Sequence, residues 1–297
     1  MSNIDKKRSD WPLIMSKKNI THFPSTGIEQ DNLRKTIDSS NGVNGVIASL
    51  KFIYNHVVDA NKPDFEVWCK SIRTEDIESL YFGHYYACYS DTNIMQVECP
   101  HEDCKKASFV EIPINQVWKF DNEDDENMFN EVRRQSTVSP KETLIDATLM
   151  QVSDNYAISF VPASLYSTFI QYATIKPELM EKYSDILNTM AYVDKIFKIN
   201  KEDKTLQPVK IQEYRNNINK TVLAKLKVYA GMLKTLTSDQ YNILIGKLNN
   251  IIEDPKIKYV RPKCNCPVCG KEIPEENVDS ILGLLFTRAL SVQAKNL

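Results

Sequence analysis

Glycine is scarce in this chain, with 8 in 297 residues. Together with abundant lysine, glutamate, leucine and isoleucine, that shortage favours helices over a β-rich or Rossmann-like architecture. Histidine is scarcer still, at 4, so acid–base catalysis has few actors. No apolar run approaches the roughly 18 residues of a membrane span. The strongest, Ile281 to Phe286, is far shorter. Excess charge of one sign is also missing. With 37 basic and 39 acidic side chains the net charge is −2, which gives no global drive toward nucleic acid or anionic lipid. The sequence holds no Gly-x-x-x-x-Gly-Lys phosphate loop, no Gly-x-Ser-x-Gly elbow and no His-Glu-x-x-His helix. The deaminase signature, His-x-Glu followed by Pro-Cys-x-x-Cys, fails as well: His101 and Glu102 are adjacent, and Pro267 stands inside the second cysteine pair.

What the chain does have is cysteine in pairs. Its 7 cysteines include Cys99 and Cys104 in Cys-Pro-His-Glu-Asp-Cys, and Cys266 and Cys269 in Cys-Pro-Val-Cys-Gly. Met1–Lys18 is polar and lacks a signal peptide's apolar centre, so a reducing compartment and metal ligation are expected rather than disulfides. A structural zinc takes four Cys or His ligands in a tetrahedron, and neither pair suffices alone. In the second pair, proline restricts φ after the first thiolate and Gly270 can turn back with φ > 0, which aims both sulfurs at one point. The expectation is therefore one structural Zn2+ held by Cys99, Cys104, Cys266 and Cys269. Closing the roughly 160-residue loop between the pairs costs about 4–5 kcal/mol. A structural zinc site contributes on the order of 10–16 kcal/mol at neutral pH, enough to offset it. Two other ligands stay open: Cys264 in place of Cys266, and His101 in place of a cysteine. The bland alternative is four reduced cysteines on ordinary hairpins.

The pattern along the chain predicts an α+β, predominantly α-helical protein: a helical bundle with two small β-hairpin cysteine knuckles that form one zinc-ribbon-like site. Residues 1–22 read as a flexible polar arm. Residues 23–120 read as an N-terminal helical segment carrying the first knuckle on a hairpin. Within it, Val46 to Val58, Phe65 to Ile72 and Thr74 to Cys88 have helical spacing, with Thr74 as N-cap. His84 and Cys88 share a helix face there and, like Cys69, read as core. Residues 121–142 read as an acidic linker. Residues 143–255 read as the bundle, with stripes at Leu179 to Phe197, Ile218 to Leu236, and Tyr241 to Ile252 behind a Ser238 cap, after a short strand at Ala157 to Val161. Residues 256–297 hold the second knuckle and a C-terminal helix headed by Asp279.

The order of these features resembles a known family. The turn Phe23-Pro24-Ser25-Thr26-Gly27 comes first, followed by the segment Asp76 to Tyr86. The knuckle ending at Cys104 and the strand Phe109 to Ile112 come next. A helical middle then leads to Cys266-Pro267-Val268-Cys269-Gly270 and a short apolar tail. This resembles the baseplate hub and hub-assembly proteins of contractile-tailed, T-even-type bacteriophages, with Phe23 where their turn usually has leucine. The resemblance implies a non-enzymatic tail protein, a hub subunit or a chaperone-like assembly factor. It would bind other tail proteins, such as the hub or tape-measure protein, in the host cytoplasm during assembly or in the virion tail baseplate. The four knuckle cysteines are the residues that carry over. Two further readings compete. Lys105, Lys106, Lys256, Lys258, Arg261, Lys263 and Lys271 surround the knuckles as in a zinc-ribbon nucleic-acid binder, although Glu102, Asp103, Glu272, Glu275 and Glu276 dilute them. A zinc hydrolase or deaminase lacks its base.

Overall fold

A computed structural model describes residues 8–40, 42–58, 62–89, 92–135, 147–173, 175–211, 218–278 and 280–283. The chain opens with strands β1 (Ser9–Leu13) and β2 (Lys18–His22), then helices α1 (Gly27–Asp38), α2 (Gly42–Asn55), α3 (Phe65–Lys70) and α4 (Ile77–Cys88). Strands β3 (Thr92–Glu98), β4 (Ala107–Pro113) and β5 (Trp118–Lys119) lead to helix α5 (Glu123–Arg134). Next come β6 (Thr148–Gln151), β7 (Tyr156–Phe160), α6 (Leu165–Thr168), α7 (Pro177–Lys182), α8 (Ser184–Met190), β8 (Val193–Ile199) and β9 (Leu206–Pro208). Helices α9 (Ile218–Leu233) and α10 (Ser238–Asn249) precede the short strands β10 (Lys258–Arg261), β11 (Cys264–Asn265), β12 (Glu272–Ile273) and β13 (Glu276–Asn277). Among the described residues helix takes 44% and strand 23%, in several small sheets, so the predominantly helical bundle is overturned.

The chain divides into two units. Unit 1 is Met1–Pro63, Glu75–Ser139 and Pro255–Leu297; unit 2 is Asp64–Thr74 and Pro140–Asp254. Most of unit 2 is thus inserted between the two cysteine pairs.

Unit 1 is built on the β1–β2 hairpin, which lies on α4 and α5. Residues 9–22 were expected in a flexible arm. They fold because Trp11, Leu13, Ile14 and Ile20 are apolar and all become buried. The Trp11 ring meets Phe82 at 4.7 Å, Phe129 at 5.3 Å and Trp118 at 5.5 Å. The turn between the strands is tied down by the buried carboxylate of Asp76, which accepts the Met15 N–H at 3.2 Å, and the Ser16 N–H and hydroxyl at 2.6 Å each. Where the hairpin crosses α4 the helix presents Gly83. A Cβ there would stand 2.7 Å from both His22 Nε2 and Trp11 Cβ, so only glycine allows this approach.

The acidic stretch is not a linker through Arg134. Asn122 caps α5 by accepting the Asp125 N–H, four carboxylates occupy the first turn and Arg133 and Arg134 the last, all favourable for the helix dipole. Phe129 and Val132 give it a buried face, and Asn19 of β2 donates to the carbonyls of Arg133 (3.1 Å) and Gln135 (3.3 Å) at its end. Residues 136–142 of the expected linker lie outside the described residues.

Unit 2 departs most from expectation. It contains a four-stranded antiparallel sheet in the order β6-β7-β8-β9. The stripe from Leu179 to Phe197 is not one helix. It breaks into α7 and α8, and Val193–Ile199 pairs as β8 with β7. Val193, Ile196 and Phe197 fit helical spacing, but the branched side chains also suit a strand, and β7 supplies a partner for their backbone. The sheet buries Ile158, Phe160, Val193 and Ile196 against Leu226 and Tyr229 of α9 and Leu244 and Leu248 of α10. Thr237, not Ser238, caps α10, in a reciprocal box with Gln240. Helix α4 begins at Ile77 after a 3-10 turn over Thr74–Asp76, so Thr74 is not its cap. The expected C-terminal helix beyond Gly283, with its Asp279 start, lies outside the described residues.

Candidate metal centre

Two hairpins of unit 1 carry the cysteines. β3 and β4 pair from Thr92↔Pro113 to Glu98↔Ala107, and Cys99 and Cys104 lie in the loop at that tip. β11 and β12 pair Cys264↔Ile273 and Asn265↔Glu272, with Cys266 and Cys269 in the connecting turn. The two turns share their construction. The Cys99 N–H bonds the Lys106 carbonyl at 3.1 Å, and the Cys266 N–H bonds the Lys271 carbonyl at 2.9 Å, closing each loop at its base. The residue after the second cysteine takes positive φ in both: Lys105 at 44° and Gly270 at 73°. Glycine adopts that conformation at little cost, whereas Lys105 sits in a region that L side chains seldom use. The longer gap of the first pair is accommodated by a tight turn in which the Cys104 and Lys105 N–H groups both reach the His101 carbonyl.

The four sulfurs converge. Sγ of Cys99, Cys104, Cys266 and Cys269 all lie within 4.8 Å of one another. Cys99 to Cys269 is 3.6 Å and Cys104 to Cys266 is 3.8 Å. A zinc–thiolate bond of about 2.3 Å puts the corners of a tetrahedron ~3.8 Å apart, so these spacings suit one ion. Cys99 and Cys266 are buried beside Val97 and Ile273, with Val110 and Cys264 packed around them, while Cys269 is exposed.

Backbone N–H groups are already aimed at the sulfurs. Cys269 and Val268 donate to Cys266, pulling its thiol down to about 6. Burial pushes Cys99 up to about 12, opposed by the His101 N–H. Opposite shifts within one cluster mean that the first thiolate forms readily and each further negative charge is resisted by those present. A divalent cation removes that resistance and takes all four as thiolates, releasing protons. Nothing in this arrangement supplies a general base: four protein ligands would close the coordination sphere and leave no position for a reacting water.

The open alternatives resolve geometrically. His101 Nε2 faces the Glu272 carbonyl at 3.0 Å, so the ring bridges the two hairpins on the exposed side. The Cys264 sulfur lies 3.9 Å from the Arg261 guanidinium and belongs to no group of three or more potential ligands among the described residues. The basic cluster expected around the knuckles is largely neutralised. Lys271 pairs with Asp103 at 3.4 Å, Lys263 with Glu272 at 3.6 Å, Lys258 with Asp121 at 2.7 Å and Arg261 with Glu276 at 2.8 Å.

Away from the cysteines, unit 1 assembles a feature the sequence did not signal: three of the 4 histidines meet. His22 and His56 lie 6.2 and 4.9 Å from the His84 ring, centroid to centroid. Ser25 Oγ stands 2.9 Å from His84 Nε2 and 3.4 Å from the Cys88 sulfur. Both ring nitrogens of His22 and Nδ1 of His84 are buried without a hydrogen-bond partner among the described residues. Burial drives His22 down to about 3 and His84 well below the usual imidazole range, so both are neutral. Cys88 and Cys69 are raised by burial, Cys69 to about 12, as expected of thiols packed in a core. His84 and Cys88 gain no third ligand, since the four knuckle cysteines form the one group of potential ligands among the described residues.

No helix among the described residues is long and apolar enough to cross a membrane. No family model, no curated protein and no solved structure matches the chain.

Proposed function

We propose that Cys99, Cys104, Cys266 and Cys269 bind one structural Zn2+ that clasps two distant segments of unit 1, and that the protein acts without catalysis as a baseplate hub subunit or hub-assembly factor of a contractile bacteriophage tail. The observation that carries the metal is the mutual approach of four sulfurs to within 4.8 Å from two hairpins far apart in sequence. Neutral thiols could pack side by side, but four of them aimed at one point from two turns at the spacing of a tetrahedron's corners is the arrangement that a shared metal requires. The tail assignment rests on the order of the Pro-Ser-Thr-Gly turn, the Asp76 to Tyr86 segment and the two knuckles. A rigid, metal-clasped body with a closed coordination sphere suits binding to other proteins better than chemistry on a small substrate. The ion pairs around the knuckles weigh against the nucleic-acid reading, since neutralised lysines release few counterions from a phosphate backbone.

The test is co-expression with the hub and tape-measure proteins of a contractile-tailed phage, followed by purification and zinc analysis by mass spectrometry. The expected result is one zinc per chain and a stable complex with at least one of those proteins. Zinc with no complex would remove the tail assignment and keep the metal. Protein purified without chelator and free of zinc would remove the metal.

A further inference from the structure

Unit 2 carries an open groove of about 470 Å³ whose lining includes Lys182, Ile186, Lys227, Gly231, Lys234 and Tyr241. Its floor is apolar and its rim basic. Lys182, Lys227 and Lys234 are exposed and make no ion pair with a carboxylate among the described residues. Lys227 and Gly231 lie on α9, and Lys234 directly follows its last residue with its N–H still bonded to the Ala230 carbonyl at 3.2 Å, so the three fall at i, i+4 and i+7 along one face with a glycine between two cations. A Cβ built on Gly231 meets no atom within 4 Å, which leaves a notch in that face.

The same spacing recurs with opposite charge in unit 1. The outward face of α5 presents Asp124, Met128 and Glu131, again at i, i+4 and i+7. Met128 is 38% exposed there, while Asp125, Phe129 and Val132 face inward. Asp124 and Glu131 also lack a cationic partner among the described residues. Seven residues span ~10.5 Å of helix, so the acidic positions and the basic positions have matched spacing along their axes. Set against each other, the helices pair both charges and place Met128 over the Gly231 notch. Methionine is an adaptable side chain for such a gap.

We propose that this groove, lined from α7, α8, α9 and α10 of one copy, receives α5 of a second copy, giving a head-to-tail association of this chain. The two surfaces differ, so the contact is heterologous and repeats from copy to copy, forming a ring or an open string. The zinc centre plays no part in it.

Sedimentation velocity over a concentration series, at low and high salt, tests the idea on the full chain. The expected result is concentration-dependent association that weakens as salt rises. Lys227→Glu with Lys234→Glu should weaken it by at least about tenfold, as should Asp124→Lys with Glu131→Lys. Mixing the two reversed proteins should restore association, because each then supplies the complement of the other. Gly231→Phe, which fills the notch from an open position, should also block it while circular dichroism stays unchanged. A wild type that remains monomeric throughout, association indifferent to charge reversal, or failure of the mixed reversed pair to associate would each overturn the proposal.

Discussion

At the residue scale, the cysteine cluster and the histidine cluster both require deprotonated groups, the first to hold a metal and the second to stay buried. The knuckle thiols must lose protons to take up metal, so Cys99→Ser and Cys266→Ser should each reduce bound zinc from about one equivalent to a small fraction, measured by metal analysis of protein purified without chelator. Cys264→Ser should keep its zinc, because that sulfur stands beside Arg261 and outside the four. The histidines must stay neutral. His22 and His84 have depressed basicity in the folded protein, so below the ordinary imidazole value of about 6.5 the unfolded chain binds more protons than the native one. Stability is therefore full above pH ~6.5 and falls as the pH drops, by about 1.4 kcal/mol per pH unit for each histidine. Urea denaturation at pH 7.5 and 5.5 should show that loss, and His22→Leu should roughly halve the slope. The cysteines were legible in the sequence because Cys-Pro-x-Cys-Gly is a local motif with a local geometry. The histidines were not: His22 lies in β2, His84 in α4 and His56 directly after α2, and they meet only after those elements pack.

At the scale of elements, two glycines separate a packing requirement from a local preference. In Gly83→Ala the new methyl would lie 2.7 Å from Trp11 and His22. The hairpin must shift off α4, which should cost about 2–3 kcal/mol by chemical denaturation. Gly246 in α10 has nothing within 4 Å of a built Cβ, and Gly246→Ala should stabilise by about 0.5–1 kcal/mol in the same assay, from helix propensity alone. Elements were legible where one pattern had one solution. The cysteine hairpin, α2, α3 and α9 lie where periodicity and turn residues placed them. Ambiguity won elsewhere. Val193, Ile196 and Phe197 fit a helical stripe, and only the presence of β7 beside them makes them a strand. The acidic run looked like solvated linker because charge dominates it. Its helical character rests on the Asn122 cap and on Phe129 and Val132, three residues that the carboxylates outnumber.

At the scale of the molecule, the sequence pointed to one metal shared between distant segments but not to the sheet-containing unit lying mostly between them. That unit has its own core, in which Ile158, Phe160, Leu226 and Leu248 are buried, and no potential metal cluster among its described residues. Chelation by a strong zinc ligand should therefore lower the melting transition of unit 1 by several degrees and leave that of unit 2 in place. Differential scanning calorimetry of the full chain, with and without chelator, would show two transitions responding differently. A single transition moving as a whole would show that the units melt together.

The inserted unit and the clasp together bear on how the chain responds to force. The sulfurs of Cys104 and Cys266 stand 162 residues apart in sequence, and a metal bridging them hides that length from a pull applied at the two termini. Extended at roughly 3.3–3.6 Å per residue, the hidden stretch amounts to ~550 Å of contour. A tethered molecule would yield only its outer segments until the sulfur–zinc bonds rupture, and would then lengthen in a further release that chelator abolishes as a separate event.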